Sequence, residues 1–354
     1  MNRNATRARA GLTGAVMTVS PGTASSPGPV GALPIPGAGC LLSGIAAGPS
    51  AVWVVGSVGQ NPFTARWDDT SWTVIPDPSE SSLASAALLG ARLRAVTRVP
   101  APAARPDDGE TVIAVGGAYD RLERVDVALI RHWTGSAWTS WEAPDLLRGL
   151  VLNAVAPAGP SGCAWAVGHA TPHGPRAFRW DGTSWEPSDI PDVARGRLVA
   201  VAAIAPDDVW AVGSADRDGL VLHYDGRGWT RVPSPAKGPL TGVSAVASDD
   251  VWAVGQHGVL HWDGRRWSRV KTPLNSANTV SARASDDVWI AGGDGGPAHF
   301  DGRRWTVTPS PESTVWLASA FAPDDGFWLA GTRAAEGASD ASGSTSVTAR
   351  PNDA

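Results

Sequence analysis

The chain of 354 residues contains only two cysteines, two methionines and two tyrosines. Two cysteines cannot staple a disulfide framework, so the fold must be held by burial. Cys40 falls on an inner strand of one repeat and Cys163 near a turn of another, so the two are expected far apart and unpaired. Lysine is equally scarce. Of 29 basic residues only Lys237 and Lys271 are lysine, and the net charge of −5 comes from mixed signs. With no basic run or stripe, the sequence points away from nucleic acid and from an anionic membrane surface. No apolar run approaches the roughly 20 residues of a membrane span. No segment keeps a 3.6-residue apolar period over helical length, so helical folds are excluded as well. Zinc-type Cys/His spacing, a nucleophile elbow and a phosphate-binding glycine loop are also missing. Neither a metal nor a cofactor is expected.

Tryptophan, by contrast, is abundant. Sixteen of the 18 fall on three positions of one repeating unit. Its clearest copy runs from Asp249 to Pro273: Asp-Asp-Val-Trp-Ala-Val-Gly, a short variable stretch, then Leu-His-Trp-Asp-Gly-Arg-Arg-Trp-Ser-Arg-Val. The first position is filled by Trp53, Trp165, Trp210, Trp252, Trp289 and Trp328, with Ile113 standing in once. The second holds Trp67, Trp133, Trp180, Tyr224, Trp262 and Phe300, and the third Trp72, Trp138, Trp185, Trp229, Trp267 and Trp305. Only Trp141 and Trp316 stand outside the pattern. The anchors recur at intervals of 37 to 60 residues, around the roughly 40–50 of a four-stranded propeller blade.

Each unit contains four strand-like runs of alternating apolar and polar residues rich in Val, Trp and Thr. Asp-Gly at 225–226, 263–264 and 301–302 separates the third run from the fourth, the signature of a two-residue type I′ hairpin. Pro-Asp-Asp or Ser-Asp-Asp (206–208, 248–250, 285–287, 323–325) joins the first run to the second, and these Asp side chains are expected on nearby backbone N–H groups.

The last unit breaks off near Thr348-Ala-Arg, which matches Thr64-Ala-Arg66 on a third strand. A fourth strand is supplied by Gly14–Pro21, which matches Gly302–Pro309 with Met17 in the tryptophan place. The expected fold is therefore all-β, a single-domain, seven-bladed β-propeller of four-stranded blades. It is closed by an N-terminal strand (14–20) that completes the last blade. The blades are assigned to residues 40–78, 82–145, 148–192, 196–235, 239–273, 277–311 and 313–353, with 21–39 as a connecting segment. Pairing the two ends leaves no long open sheet edge. Arg3, Arg7 and Arg9 before Ala10–Ser20 faintly mimic a signal peptide. Cleavage would remove the closing strand, so a cytoplasmic monomer is expected, with secretion as the alternative.

In its Asp-Val-Trp-Ala-Val-Gly and His-Trp-Asp-Gly-Arg-Arg-Trp copies the chain resembles the Trp-repeat β-propellers of actinobacteria, which are described as kelch-like or galactose-oxidase-like. The resemblance covers nearly the whole chain. It implies the fold and leaves the function open, because propellers host many activities. A galactose-oxidase copper site implies Tyr and His ligands and a Tyr–Cys crosslink. With Tyr119 and Tyr224 the only tyrosines, and Tyr224 in a repeat position, that chemistry is rejected.

His132, His223, His261 and His299 share one position on the third strands of different blades. They cannot meet at one metal, and a repeated structural contact is the better reading. Asp216-Arg-Asp218-Gly219 is too short for a calcium loop and reads as a turn. Variation concentrates in the loops between second and third strands, where a rigid scaffold carries function. On this face Trp316, Arg333, His257, Gln256, Asp294, His169, Tyr119 and Asn278 are the candidate ligand contacts. Counted back from Pro323-Asp-Asp, Trp316 aligns with Val199, Thr241 and Asn278 near the channel mouth. The first functional reading is a non-enzymatic binding or scaffold protein that presents this face to a small molecule, glycan or peptide. The alternative is a propeller lyase, glycosidase or natural-product tailoring enzyme that uses His257 and Asp294 for acid–base work.

Overall fold

The computed structural model describes residues 12–19, 33, 39–78, 87–100, 111–171, 174–193, 195–292, 296–310, 314–321, 326–334 and 348–349. They form seven four-stranded sheets, the blades of a propeller. Blade 1 is β2 (Cys40–Ala47), β3 (Val52–Val58), β4 (Asn61–Trp67) and β5 (Trp72–Val74). Blade 2 is β6 (Leu88–Val99), β7 (Thr111–Asp120), β8 (Val125–Trp133) and β9 (Trp138–Ser140). Blade 3 is β10 (Leu150–Pro157), β11 (Ala164–Ala170), β12 (Gly174–Trp180) and β13 (Trp185–Ser188). Blade 4 is β14 (Gly196–Ala205), β15 (Asp208–Ala215), β16 (Asp218–Tyr224) and β17 (Trp229–Arg231). Blade 5 is β18 (Leu240–Ala247), β19 (Asp250–Gly255), β20 (Gly258–Trp262) and β21 (Trp267–Val270). Blade 6 is β22 (Thr279–Ala284), β23 (Asp287–Ala291), β24 (Ala298–Phe300) and β25 (Trp305–Val307). Blade 7 joins β26 (Thr314–Phe321) and β27 (Phe327–Ala334) to β1 (Leu12–Val19) and β28 (Thr348–Ala349). Each first strand touches the first strands of both neighbouring blades, and β26 returns to β2, so the ring is closed around a channel.

The repeat tryptophans build the walls between blades. The second-strand tryptophan of one blade meets the hairpin aromatics of the next. Trp53 lies 4.9 Å from Trp133 and 5.2 Å from Trp138 between ring centroids, and Trp210 lies 5.2 Å from Trp262 and 5.6 Å from Trp267. These are the edge-on and tilted geometries that the ring quadrupole favours. The second-strand rings are buried, Trp165, Trp210 and Trp289 to 1% exposure. Where Ile113 replaces the tryptophan, His132 across the strand pair takes its place against blade 3. Its ring meets Trp180 at 4.6 Å and accepts the Trp185 indole N–H at 3.2 Å.

The other repeat histidines are structural as well. His223, His261 and His299 pair with Asp208, Asp250 and Asp287 of their own blades at 2.8–2.9 Å. Asp250 also accepts the Trp252 indole N–H at 2.9 Å and the Ser285 hydroxyl of the next blade. The expectation that these aspartates serve backbone N–H groups is thereby corrected. In each of these blades the imidazole ring of the third strand takes the place of a backbone donor beside the carboxylate.

The Asp-Gly hairpins differ from the expected two-residue turn. Tyr224 pairs with Trp229 across four residues, Gly226 has φ +85°, and Asp225 stays outside the left-handed region. The Asp225 carboxylate instead accepts the N–H groups of Arg227 and Gly228 at 3.0 and 3.1 Å. Asp181, Asp263 and Asp301 do the same in blades 3, 5 and 6. The side chain satisfies the donors of a longer loop, so no second positive φ is needed.

Closure by the N-terminal strand is present, with one change of place. β1 is third in blade 7 and runs antiparallel to β27, with Met17 opposite Leu329, while β28 pairs with it in parallel on the outside. The match to a fourth strand is thus corrected. Eight residues of β1 pair along the whole edge of β27 and leave none of it open. Met17, 1% exposed, packs with Trp289, Trp316 and Phe327. Cys40 and Cys163 are buried on different blades and share no disulfide. Among the described residues no helix is long and apolar enough to cross a membrane. The connecting segment 21–39, apart from Leu33 and Gly39, and the Gly/Ser-rich stretch of the last blade lie outside the described residues.

Candidate functional site

The site begins with the glycine of the repeat. In each second strand it faces a backbone carbonyl of the first strand so closely that no side chain fits. A Cβ on Gly56 would stand 1.9 Å from the Leu41 oxygen, and one on Gly213 would stand 2.0 Å from that of Arg197. The close approach coincides with a β-bulge in the first strand, which inserts one extra residue opposite the glycine. The skipped residues are Ser43, Arg94, Asn153, Val199, Thr241 and Leu317. Asn278, just ahead of β22, holds the same place in blade 6.

All seven of these residues, one from each blade, line a single cavity of about 300 Å³ in the channel. They lie near the starts of the first strands, hence on the side of the loops that join second and third strands. The volume sits at the low end for small-molecule pockets. Arg92 and Arg197 join the lining, which contains no carboxylate among the described residues. The Arg197 Nε donates to Ser214 Oγ at 3.1 Å. The Arg92 Nε, Arg94 Nε and Ser43 Oγ are buried without a hydrogen-bond partner. Burial lowers Arg94 to about 10; Arg92 adds to the effect, Asp126 opposes it less strongly, and Arg197 contributes least. Asn153 Nδ2 donates to the Leu198 carbonyl at 2.7 Å and stands 3.1 Å from His169 Nδ1. Burial, then Arg94 and Arg197, push the His169 imidazolium below its usual range. The ring is therefore neutral near pH 7, with Nδ1 as the acceptor for Asn153.

A wider, flatter hollow of about 460 Å³ lies on the opposite face, between Asp249, Asp250, His261, Asp263 and Ser285. Two of its carboxylates are engaged within the protein, Asp250 with His261, Trp252 and Ser285, and Asp263 with its own turn.

Of the residues expected from sequence, Asn278 lines the cavity and donates to the Trp316 carbonyl at 3.0 Å, and His169 reaches it through Asn153. Trp316 does not face the channel. Its ring is 1% exposed in the core beside Met17, and its indole N–H donates to Ser310 Oγ at 2.9 Å. Blade 7 carries an extra Gly326 between Asp325 and Phe327, so counting from Pro323 slips by one. Counted eleven residues back from the repeat tryptophan, Val199, Thr241, Asn278 and Leu317 fall into line. Gln256 and His257 sit exposed in the β19–β20 loop, where the His257 carbonyl accepts from Arg269 at 2.8 Å. Tyr119 is 41% exposed near the end of β7. Arg333 lies opposite Thr13 and Thr314 in blade 7. Asp294 lies outside the described residues, so the pairing expected with His257 is not among the contacts described.

Sequence reasoning missed Ser43, Arg94 and Asn153, because the first three blades have hairpins of other lengths and no fixed count from the tryptophan reaches the bulge there; it also missed Arg92 and Arg197, which stand two residues ahead of the bulge in their strands.

No family model matches the chain, and no curated protein matches its sequence. Solved structures share the fold at low identity. YCF48 bound to D1 peptide is 16% identical with a TM-score of 0.59, over 90% of this chain and 98% of that one. YCF48 from Cyanidioschyzon merolae is 17% identical with a TM-score of 0.58, over 86% and 96%. U3-55K is 11% identical with a TM-score of 0.60, over 85% and 90%.

Proposed function

We propose that the protein is a binding propeller that takes a small molecule, glycan or peptide at the mouth of its channel. One observation carries this reading: six bulged residues and Asn278, one residue per blade, converge with two further arginines on a single open cavity. A ring built only for stability has no need to gather unpaired polar atoms at its axis, where each costs free energy while it lacks a partner. The varied chemistry of the seven positions supports recognition of an asymmetric ligand, because identical blades would give a uniform ring. The likeness to YCF48 solved with a D1 peptide supports ligand capture on such a ring.

Val199→Trp would fill the channel from blade 4. A thermal-shift screen of full-length protein against metabolites, glycans and peptides should return a stabilising ligand. The Val199→Trp variant should lose that stabilisation. A hit that survives Val199→Trp but disappears in a Gln256→Ala/His257→Ala variant would move the site to the outer loops.

A further inference from the structure

We propose that the channel mouth is a carboxylate site in which Arg92, Arg94 and Arg197 hold the acidic group of the ligand. This rests on the channel being the binding site and names the chemistry it accepts. The three guanidiniums come from blades 2 and 4, either side of blade 3, and line the same cavity. Among the described residues, neither Arg92 nor Arg94 makes a side-chain hydrogen bond or an ion pair, and both present a buried, unpartnered Nε. Among the described residues, Arg197 is anchored only through Nε to Ser214, and its terminal nitrogens are left to reach a ligand.

Elsewhere this protein pairs a buried arginine fully. Arg131 meets Asp77 through two bonds, at 3.0 and 3.2 Å. Among the described residues, the lining around the channel arginines holds no such carboxylate. Asp126 acts on Arg94 from outside the cavity and is outweighed by burial and the neighbouring arginines. A planar guanidinium fork matches a carboxylate in bidentate fashion. A carboxylate entering here would supply the missing acceptors and lift the mutual repulsion of the arginines. His169 adds no competing charge, because it is neutral and already engaged with Asn153. The cavity's modest volume fits a small di- or tricarboxylate, or the terminal residue of a peptide.

The test is titration calorimetry of full-length protein at low ionic strength with three probes: citrate, a short peptide with a free C-terminus, and the same peptide amidated. At least one carboxylate probe should bind saturably. Arg94→Gln should weaken it tenfold or more, and Arg303→Gln, on an exposed turn, should leave it unchanged. Binding of the free peptide but not of citrate or the amidated peptide assigns a chain terminus, and binding of citrate alone assigns a small acid. Removing an unpaired buried charge should leave the melting temperature of Arg94→Gln equal or higher. A structural arginine would instead lower it, and that result overturns the proposal. So does carboxylate binding that Arg94→Gln does not alter, or the absence of binding by all three probes. A neutral ligand blocked by Val199→Trp but indifferent to Arg94→Gln would leave the channel as the binding site and remove its carboxylate chemistry.

Discussion

Gly213 and Arg197 face each other across the first strand pair of blade 4 so tightly that a Cβ on the glycine would stand 2.0 Å from the arginine carbonyl oxygen. The repeat glycine and the channel site are thus one device. The missing side chain admits the bulge, and the bulge turns Val199 toward the axis beside Arg197.

Gly213→Ala should therefore destabilise by about 3 kcal/mol, at the upper end for an overpacked site, because the obstacle is backbone and cannot rotate away. Chemical denaturation measures this. Gly228→Ala, in open space within a turn, is the matched control and should change stability far less. Equal effects would remove the steric account of the motif.

The ring closes where Trp328 of blade 7 meets Trp72 of blade 1 edge to face, 6.4 Å between centroids at 83°. Trp328→Ala should cost roughly 3–5 kcal/mol, as for other buried aromatic truncations. Loss of closure should also broaden the unfolding transition. A sharp transition with an unshifted midpoint would mean that this wall is dispensable.

Asp250 gathers His261, Trp252 and Ser285 around one buried carboxylate. Asp250→Ala strands those donors and should cost about 2–3 kcal/mol. Asp263→Ala, two strands away in an exposed turn, should shift thermal unfolding less. The reverse order would show that turn chemistry outweighs the inter-blade network.

His132 carries the clearest pH signature. Burial lowers it from 6.5 to about 4. Between those values the unfolded chain binds a proton that the folded ring refuses, so stability rises with pH. The full contribution, up to about 3 kcal/mol, is present above pH 6.5 and is lost as pH falls toward 4. Protonation of Nε2 would also remove the acceptor for Trp185. His132→Phe keeps a ring against Trp180 and should flatten the pH dependence in that window. Parallel wild-type and variant curves would refute the assignment.

Fold class, blade number and closure were legible in the sequence. Tryptophan spacing fixes how often the chain must turn back to pack one sheet on the next. The repeat histidines were legible as structural for the same reason, since equivalent positions in different blades cannot meet. The tertiary structure alone decided where the ends pair. Met17 looked like a fourth-strand residue by its neighbours in sequence, yet it lies in β1, whose eight residues pair along the edge of β27. It alone decided the site as well. A bulge shifts the inward-facing side chain by one residue and depends on backbone contacts across the strand pair. A count from the repeat tryptophan finds Leu317 rather than Trp316, but only the folded ring brings residues separated by more than a hundred positions, such as Arg94 and Arg197, into one cavity.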